Sequence, residues 1–320
     1  IAPVNIGYTA GIETTKVAHE WIQAANAMDK IIVVSNHSKD VFEHTTYEAR
    51  NEQTNERILL KLETDIEAVN YPVKVYENLK PLEMKLDYDF NFVCVAQMGP
   101  RKNLENTIRW FLQEFKDDEV GLIVKTNLAK NCQMDREIAH GKIIQLKCKL
   151  YLLHGDMTDE EMHAIYLNEK VKASLLLTHG EGFGLPLFEA AYMGIPVIAT
   201  AWSGQLDFLC NEKGEPNFYQ VAYDIQQIPA EVVWESVIVA ESMWAYPRES
   251  AAKEQMRQCY LDLTSKKHDN KRFCEYSEEL RERFEEEKMY SQFVDAVLTH
   301  INFNADTETP INAAKIMEID

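Results

Sequence analysis

Two glutamates eight residues apart, Glu181 and Glu189, enclose the glycine-rich stretch EGFGLPLFE. Gly182 and Gly184 allow the backbone to approach a ligand closely, because glycine carries no Cβ. A helix that begins near Leu185 presents free N–H groups and a positive dipole end, and both favour a phosphate. An ionised carboxylate can accept hydrogen bonds from two vicinal hydroxyls. The stretch is therefore typical of a diphosphate held by backbone N–H groups, with hydroxyls bound by the two glutamates.

The same stretch also has a purely structural interpretation, in which the glycines only form a turn. Glu181 would then be solvated, and Glu189 would stabilise the start of the helix through the helix dipole. The residues alone do not decide between the two interpretations.

The elements that must position these residues follow from the pattern of apolar runs. Predominantly apolar runs such as NFVCVAQ (91–97), VGLIVKT (120–126) and KASLLLT (172–178) alternate with segments of helical periodicity. Such strands are typical of a parallel sheet covered on both faces, which predicts an α/β protein. Ligands bind beyond the carboxyl ends of such strands, and EGFGLPLFE follows shortly after the run 172–178.

Capping side chains and composition predict the remaining elements. Ser38 is a possible cap for a helix KDVFEHTTYEAR, and Thr158 with Glu161 resembles a capping box before EEMHAIY. Residues 43–88 lack the strand and helix rhythm, so we interpret most of them as a linker, with a short β element around YPVKVY. From about residue 246 the pattern becomes helical and charged.

Charge and cysteine usage exclude several classes of protein. Among 320 residues, 33 are basic and 52 are acidic, for a net charge of -19. A nucleic-acid partner is not expected, since it would require a basic surface. The six cysteines form no C-x-x-C pair, and no apolar stretch reaches the length of a membrane helix. We therefore expect a cytoplasmic protein without a transmembrane segment.

Four motifs, in order along the chain, resemble those of the retaining GT-B glycosyltransferases of the family 4 type, the glycosyl transferases group 1. EGFGLPLFE matches the E-x7-E signature, with Glu181 and Glu189 as its glutamates. VAQMGPRKNLENTI resembles the family's G-R-x-x-x-R-K-N loop, and LLHGDMTDEEMHAIY resembles a strand and helix of the pattern G-x-x-x-D-E-E-L…Y. GIPVIATAWSGQLDFL resembles its G-x-P-V-I-A segment. The resemblance covers residues 89–245 strongly and residues 1–45 more weakly.

The resemblance implies two Rossmann-like domains, with parallel sheets covered by helices and an active site in the cleft between them. In the family, the first glutamate contacts the donor sugar and the second holds the ribose hydroxyls, which implies these roles for Glu181 and Glu189. Lys102, with Arg101 beside it, would reach the diphosphate, and Met157 would border the base. Backbone N–H groups for the phosphate or the sugar would come from Gly182, Phe183, Gly184 and Leu185.

The resemblance implies neither a metal nor another cofactor, because cationic side chains and a helix end neutralise the leaving diphosphate. The donor would be a UDP- or GDP-linked sugar, and the acceptor an unidentified glycan, lipid or protein. A homo-oligomer is an open option. Ala96 and Gln97 replace the family's Gly-Arg pair, so we expect Arg101 to substitute for the phosphate-binding arginine.

The predicted organisation has four parts. They are a remnant of the N-terminal acceptor domain (1–48), a linker (49–88), the donor domain (89–245), and C-terminal helices with a tail (246–320). Because the first part is too short for a full Rossmann half, we expect that an upstream part of that domain is missing from this sequence.

The predicted function is metal-independent transfer of a hexose, with retention, from a nucleoside diphosphate sugar to a hydroxyl. The alternative is a non-catalytic or partner-dependent module that binds a nucleotide sugar. An NAD-dependent dehydrogenase is disfavoured, because no G-x-G-x-x-G follows a first strand. We interpret His154 and His179 as hydrogen-bonding neighbours and Trp202 as a packing residue. Lys125 is as compatible with a donor contact as with a solvated loop, and Glu13 is interpreted as a surface carboxylate rather than an acceptor contact.

Overall fold

The computed structural model describes residues 4–50, 57–127, 146–265 and 271–299. Its N-terminal part is a three-stranded parallel sheet in the order β1-β2-β5, with an antiparallel hairpin β3-β4 beside it. The elements are β1 (Ile6–Thr9), α1 (His19–Asn26), β2 (Lys30–Val33), α2 (Asn36–His44), β3 (Thr46–Arg50), β4 (Arg57–Lys61) and β5 (Asp65–Ala68). Strand β2 (KIIV) is buried along its whole length, as expected of the central strand of a sheet.

The larger part is a six-stranded parallel sheet in the order β11-β10-β9-β6-β7-β8, where the strands are β6 (Asn91–Val95), β7 (Gly121–Thr126), β8 (Lys149–His154), β9 (Val171–Leu176), β10 (Val197–Thr200) and β11 (Tyr219–Val221). The helices that follow these strands are α3 (Leu104–Glu114), α4 (Asp159–Tyr166), α5 (Leu185–Tyr192) and α6 (Leu206–Leu209). Parallel pairing requires such crossover connections, and the expected helix-covered parallel sheet of an α/β protein is confirmed.

The remaining elements are the antiparallel pair β12 (Tyr223–Gln227) and β13 (Met243–Pro247), followed by α7 (Glu249–Thr264), α8 (Lys271–Arg283) and α9 (Glu286–Leu298). Helix α7 packs on α3, and α8 packs on α5. One large apolar core joins these layers, and Phe92, Phe111 and Phe115 are fully buried in it. Within the described ranges, no helix is long and apolar enough to cross a membrane.

The two parts contact each other at several places, two of which involve late elements of the chain. Ala296 of α9 is buried against Ile32 and Val69 of the N-terminal part. The β12-β13 pair also reaches the N-terminal part, where Thr15 N–H donates to the Met243 carbonyl at 3.2 Å. Met243 N–H in turn donates to the Thr15 hydroxyl oxygen at 2.9 Å. The N-terminal part is therefore contacted by both a late helix and a late hairpin.

Several local expectations differ from the structure. The cap of α2 is Ser35, whose side chain accepts from Ser38 N–H, so the assignment of the cap to Ser38 was wrong. The helix also ends at His44, because β3 begins two residues later. Residues 49–88, predicted as a linker, hold β4 and β5, whereas YPVKVY is not a strand. The capping box of Thr158 and Glu161 is confirmed.

Candidate active site

A cleft of about 450 Å³ lies beyond the carboxyl ends of β6, β7 and β8. This position is where ligands bind in open parallel sheets. Its polar and charged lining residues include Gln97, Arg101, Lys102, Lys125, Thr126, Asn127 and Asp156, and its apolar lining includes Met157 and Pro186. Three of the predicted site residues, Arg101, Lys102 and Met157, therefore share one cleft.

A short 3₁₀ turn, Pro100–Lys102, presents the two adjacent cations. Asn103 ends the turn in the left-handed conformation, which asparagine adopts more readily than most residues. Its side-chain amide donates to the Leu177 carbonyl at 2.9 Å. The Arg101 carbonyl accepts from His179 N–H at 2.8 Å. The turn is thus fastened to the segment that follows β9.

Glu181 lies against both cations. Its two carboxylate oxygens are 2.7 and 2.9 Å from Lys102 Nζ. A guanidinium nitrogen of Arg101 is 3.1 Å from the Glu181 carboxylate and donates to the Gly180 carbonyl at 2.7 Å. Glu181 is only 5% exposed, and a buried carboxylate requires such partners. Residues that the resemblance alone had grouped are therefore in direct contact.

The glycines of this loop lie in close contact with neighbouring backbone. A Cβ on Gly182 would lie 2.5 Å from the Ala10 carbonyl oxygen, and one on Gly204 would lie 2.0 Å from that of Gly182. Gly184 has a φ of +99°, which favours glycine, and directly precedes α5. Glycine is therefore required at these positions because the loop packs closely against neighbouring backbone, including that of the N-terminal segment. The sequence did not reveal this requirement.

Phe183 and Leu185 occupy different environments. The Phe183 ring is buried between Tyr71 and Phe208, with centroid distances of 5.3 and 5.0 Å. Leu185 is the first residue of α5 and is exposed. Only their backbone N–H groups were predicted to contact the donor, and that role stays a prediction.

Glu189 lies one turn into α5 and is partly buried. Burial raises the pKa of its carboxyl from 4.5 to about 7, with Lys74 opposing and Asp159 reinforcing the shift. Its carboxyl group makes no ion pair with any residue that the structure describes. Glu189 is not among the residues that line the cleft, so its contact with ribose hydroxyls stays a prediction.

Lys125 and the two histidines have distinct environments. Lys125 lines the cleft, is buried, and donates to the Gly155 carbonyl at 2.7 Å. Burial lowers the pKa of this lysine, and Asp156 opposes the shift. His179 is buried, its Nδ1 lies 2.9 Å from the Ala245 carbonyl oxygen, and its ring stacks on Trp244. His154 is exposed at the end of β8.

Two acidic residues join the site region to the N-terminal part, and local sequence gave no signal for either contact. Glu13 lies 3.0 Å from an Arg101 guanidinium nitrogen. Asp207 accepts from Asn36 N–H at 2.8 Å and from the Asn70 amide at 2.9 Å. The partners in both contacts are distant in sequence, so periodicity and motif spacing could not reveal them.

Residues 77–228 match the family described as Glycosyl transferases group 1. That range contains Arg101, Lys102, Glu181 and Glu189. Among curated proteins, the serotype-specific mannosyltransferase WbdA of Escherichia coli is 34% identical over 113 residues, which are 34% of this chain and 13% of WbdA. The chain therefore spans a small part of this relative.

Solved structures share the fold at low sequence identity. Anabaena Alr3699/HepE, in complex with UDP and glucose, aligns with a TM-score of 0.59 at 12% identity, over 92% of this chain and 71% of that one. TarM aligns with a TM-score of 0.54 at 14% identity, over 91% of this chain and 49% of that one. The pneumococcal O-GlcNAc transferase GtfA, in complex with UDP and GlcNAc, aligns with a TM-score of 0.52 at 15% identity, over 88% and 47%.

The chain thus spans about half the length of TarM and of GtfA. At these identities the likeness establishes the fold, which is GT-B. The family match therefore applies to residues 77–228, and the structural neighbours share the GT-B fold.

Proposed function

We propose that the chain is a retaining, metal-independent glycosyltransferase of the family 4 type. It transfers a hexose from a UDP- or GDP-linked sugar to the hydroxyl of an acceptor. The observation that carries the proposal is the cleft in which Arg101, Lys102 and Lys125 meet at the carboxyl ends of the strands. Three cations around one cleft, in a chain with a net charge of -19, indicate an anionic ligand.

The leaving diphosphate determines what these cations do. When the bond from the sugar carbon C1 to the phosphate oxygen breaks, negative charge develops on that oxygen. Lys102 and Arg101, with the start of α5 at Leu185, are placed to stabilise this charge. This is a task that a divalent cation performs in other transferases, and it supports metal independence.

The two glutamates bind the hydroxyl groups of the donor. Glu181 accepts from a sugar hydroxyl while Lys102 neutralises it, and Glu189 accepts from the ribose. In the retaining step the acceptor oxygen forms its bond to C1 on the face from which the diphosphate leaves. The departing phosphate oxygen takes the acceptor proton, so no enzymic nucleophile is required.

The names of the relatives suggest which donors to test. WbdA is a mannosyltransferase, whereas HepE and GtfA were solved with UDP. We therefore place GDP-mannose, UDP-glucose and UDP-GlcNAc first in a donor panel. A cytoplasmic location and a homo-oligomer stay predictions.

The test is a thermal-shift panel with these donors, with and without EDTA, followed by transfer assays. A ligand that binds only the native state raises the melting temperature. We expect one donor to shift wild type equally with and without EDTA and to shift Lys102→Ala less. Lys116→Ala, which removes an exposed lysine, is the matched control and should respond like wild type. No shift with any donor contradicts the proposal.

The second candidate is a module that binds a nucleotide sugar without transferring it. The N-terminal sheet has three strands within the described residues, which favours this candidate for the chain on its own. It predicts the thermal shift without product formation for any acceptor. NMR of the product anomer distinguishes retention from inversion when transfer occurs.

A further inference from the structure

Glu13 is brought to the cations of the cleft by the N-terminal segment. Its Oε1 lies 3.0 Å from one terminal nitrogen of Arg101, whose other terminal nitrogen lies 3.1 Å from Glu181. The guanidinium is therefore held between two carboxylates. It has five N–H donors, so these contacts leave it able to donate to a diphosphate as well.

The backbone around Glu13 fixes the direction of this side chain. Ile12 and Thr14, its two neighbours, are each 1% exposed, whereas the Glu13 side chain is 30% exposed. Ile12 N–H donates to the Ser38 hydroxyl oxygen at 3.3 Å. A Cβ on Gly180 would lie 2.3 Å from the Glu13 carbonyl oxygen, so the segment rests directly on the glycine-rich loop.

Stability alone does not account for this arrangement. The Arg101 side chain is 25% exposed, and a solvent-accessible ion pair of this kind contributes little to folding. A second carboxylate beside a diphosphate site also repels the donor. A carboxylate in this position is better explained by what it does to the orientation of the guanidinium.

We propose that Glu13 is a positioning residue of the donor site, which orients Arg101 for the diphosphate. This inference rests on the proposed function. It assigns to the N-terminal segment a group that the donor site requires, although the matched family region begins at residue 77.

The test is a double-mutant cycle of Glu13→Gln and Arg101→Gln, with kcat and the donor KM measured for all four proteins. Gln keeps an oxygen that can accept from Arg101 but removes the charge, so the fold should be retained. We expect Glu13→Gln to lower kcat roughly tenfold, because misplaced catalytic groups lose rate without losing binding. The donor KM should not rise, because one repulsive charge is removed.

The Arg101→Gln background provides the decisive comparison. If Glu13 acts through Arg101, then Glu13→Gln should change kcat by less than about twofold in that background, since coupled residues are not additive. Glu13→Asp keeps the charge on a shorter side chain and should give a kcat between wild type and Glu13→Gln. Glu43→Gln is the control, because Glu43 is another ion-paired glutamate of the N-terminal part.

Two results overturn the inference while leaving the proposed function intact. One is an active wild type whose kcat is unchanged by Glu13→Gln. The other is a tenfold loss in both backgrounds, which would show that Glu13 acts independently of Arg101. A wild type that neither binds nor turns over any sugar nucleotide overturns the proposed function, and the inference with it.

Discussion

Lys102 donates to both carboxylate oxygens of Glu181, at 2.7 and 2.9 Å, across 79 residues of sequence. The same lysine lines the cleft, so it is placed to neutralise a buried carboxylate and to meet a ligand anion. Glu181 retains Arg101 as a partner when Lys102 is removed. Substitution of Lys102 should therefore affect chemistry more than folding.

Lys102→Ala should lower kcat/KM by roughly 10²- to 10³-fold, because it removes a cation that stabilises charge in the transition state. The measurement is steady-state transfer with the donor that raises the melting temperature of wild type in the thermal-shift panel. Lys116→Ala removes an exposed lysine and should retain wild-type turnover. Transfer by Lys102→Ala within twofold of wild type would exclude the role of Lys102.

Glu189 should make the free energy of unfolding depend on pH. Because its pKa rises from 4.5 to about 7 on folding, the folded protein retains a proton that the unfolded chain releases between these values. Stability conferred by this group therefore falls as pH rises through that window and levels off above it. Urea unfolding of wild type and Glu189→Gln at pH 5, 6, 7 and 8 measures the effect.

We expect wild type to lose stability relative to Glu189→Gln from pH 5 to 7. Glu105→Gln, at an exposed position of α3, should leave the wild-type slope unchanged. A pH-independent difference between wild type and Glu189→Gln would show that Glu189 ionises normally in the folded protein.

The same ionisation of Glu189 should make donor affinity increase with pH, whereas the free energy of unfolding decreases. The Glu189 carboxylate accepts from two ribose hydroxyls only after it loses its proton, so the donor Kd should fall as pH rises from 6 to 8. A sugar nucleotide is the suitable probe, because it has no terminal phosphate that titrates in this range. Calorimetry should find this trend in wild type and lose it in Glu189→Gln; an equal trend in both proteins assigns it to another group.

Gly182→Ala should destabilise the protein by about 1–3 kcal/mol, the usual cost of overpacking. The new Cβ would meet the Ala10 carbonyl oxygen at 2.5 Å, and backbone cannot rotate away as a flexible side chain can. Gly99→Ala is the matched control, since no atom lies within 4 Å of a Cβ at that site. Equal stability of the two variants, measured by urea unfolding, would show that the loop relaxes freely.

The six-stranded sheet could be predicted from sequence because most of its strands are predominantly apolar runs. The run 91–97 corresponds to β6 (Asn91–Val95), and the run 172–178 corresponds to β9 (Val171–Leu176). Strand β5 could not be predicted in this way, because Ile66 is the one buried residue among its four. The polar residues around Ile66 gave this segment a composition typical of a linker.

The candidate site could be predicted from the sequence only in part. Lys102 and Glu181 were grouped by motif resemblance, and their contact follows from the convergence of parallel strands at one edge of the sheet. Glu13 was interpreted as a surface carboxylate, because an ion pair to a distant arginine leaves no periodic pattern in the sequence. The packing of Gly182 against Ala10 was missed for the same reason, since it joins two loops from different sheets.

The hydrogen bonds between Thr15 and Met243 also bear on how the protein folds during synthesis. They join residues 228 positions apart, so the earlier segment leaves the ribosome long before its partner exists. At typical synthesis rates of 5–20 residues per second, the delay is roughly 11 to 46 s. The apolar surface that Ala296 later covers stays open for longer still. The strands β1, β2 and β5 therefore precede their late packing partners by a long interval, and we expect a nascent chain released before residue 243 to need chaperone protection.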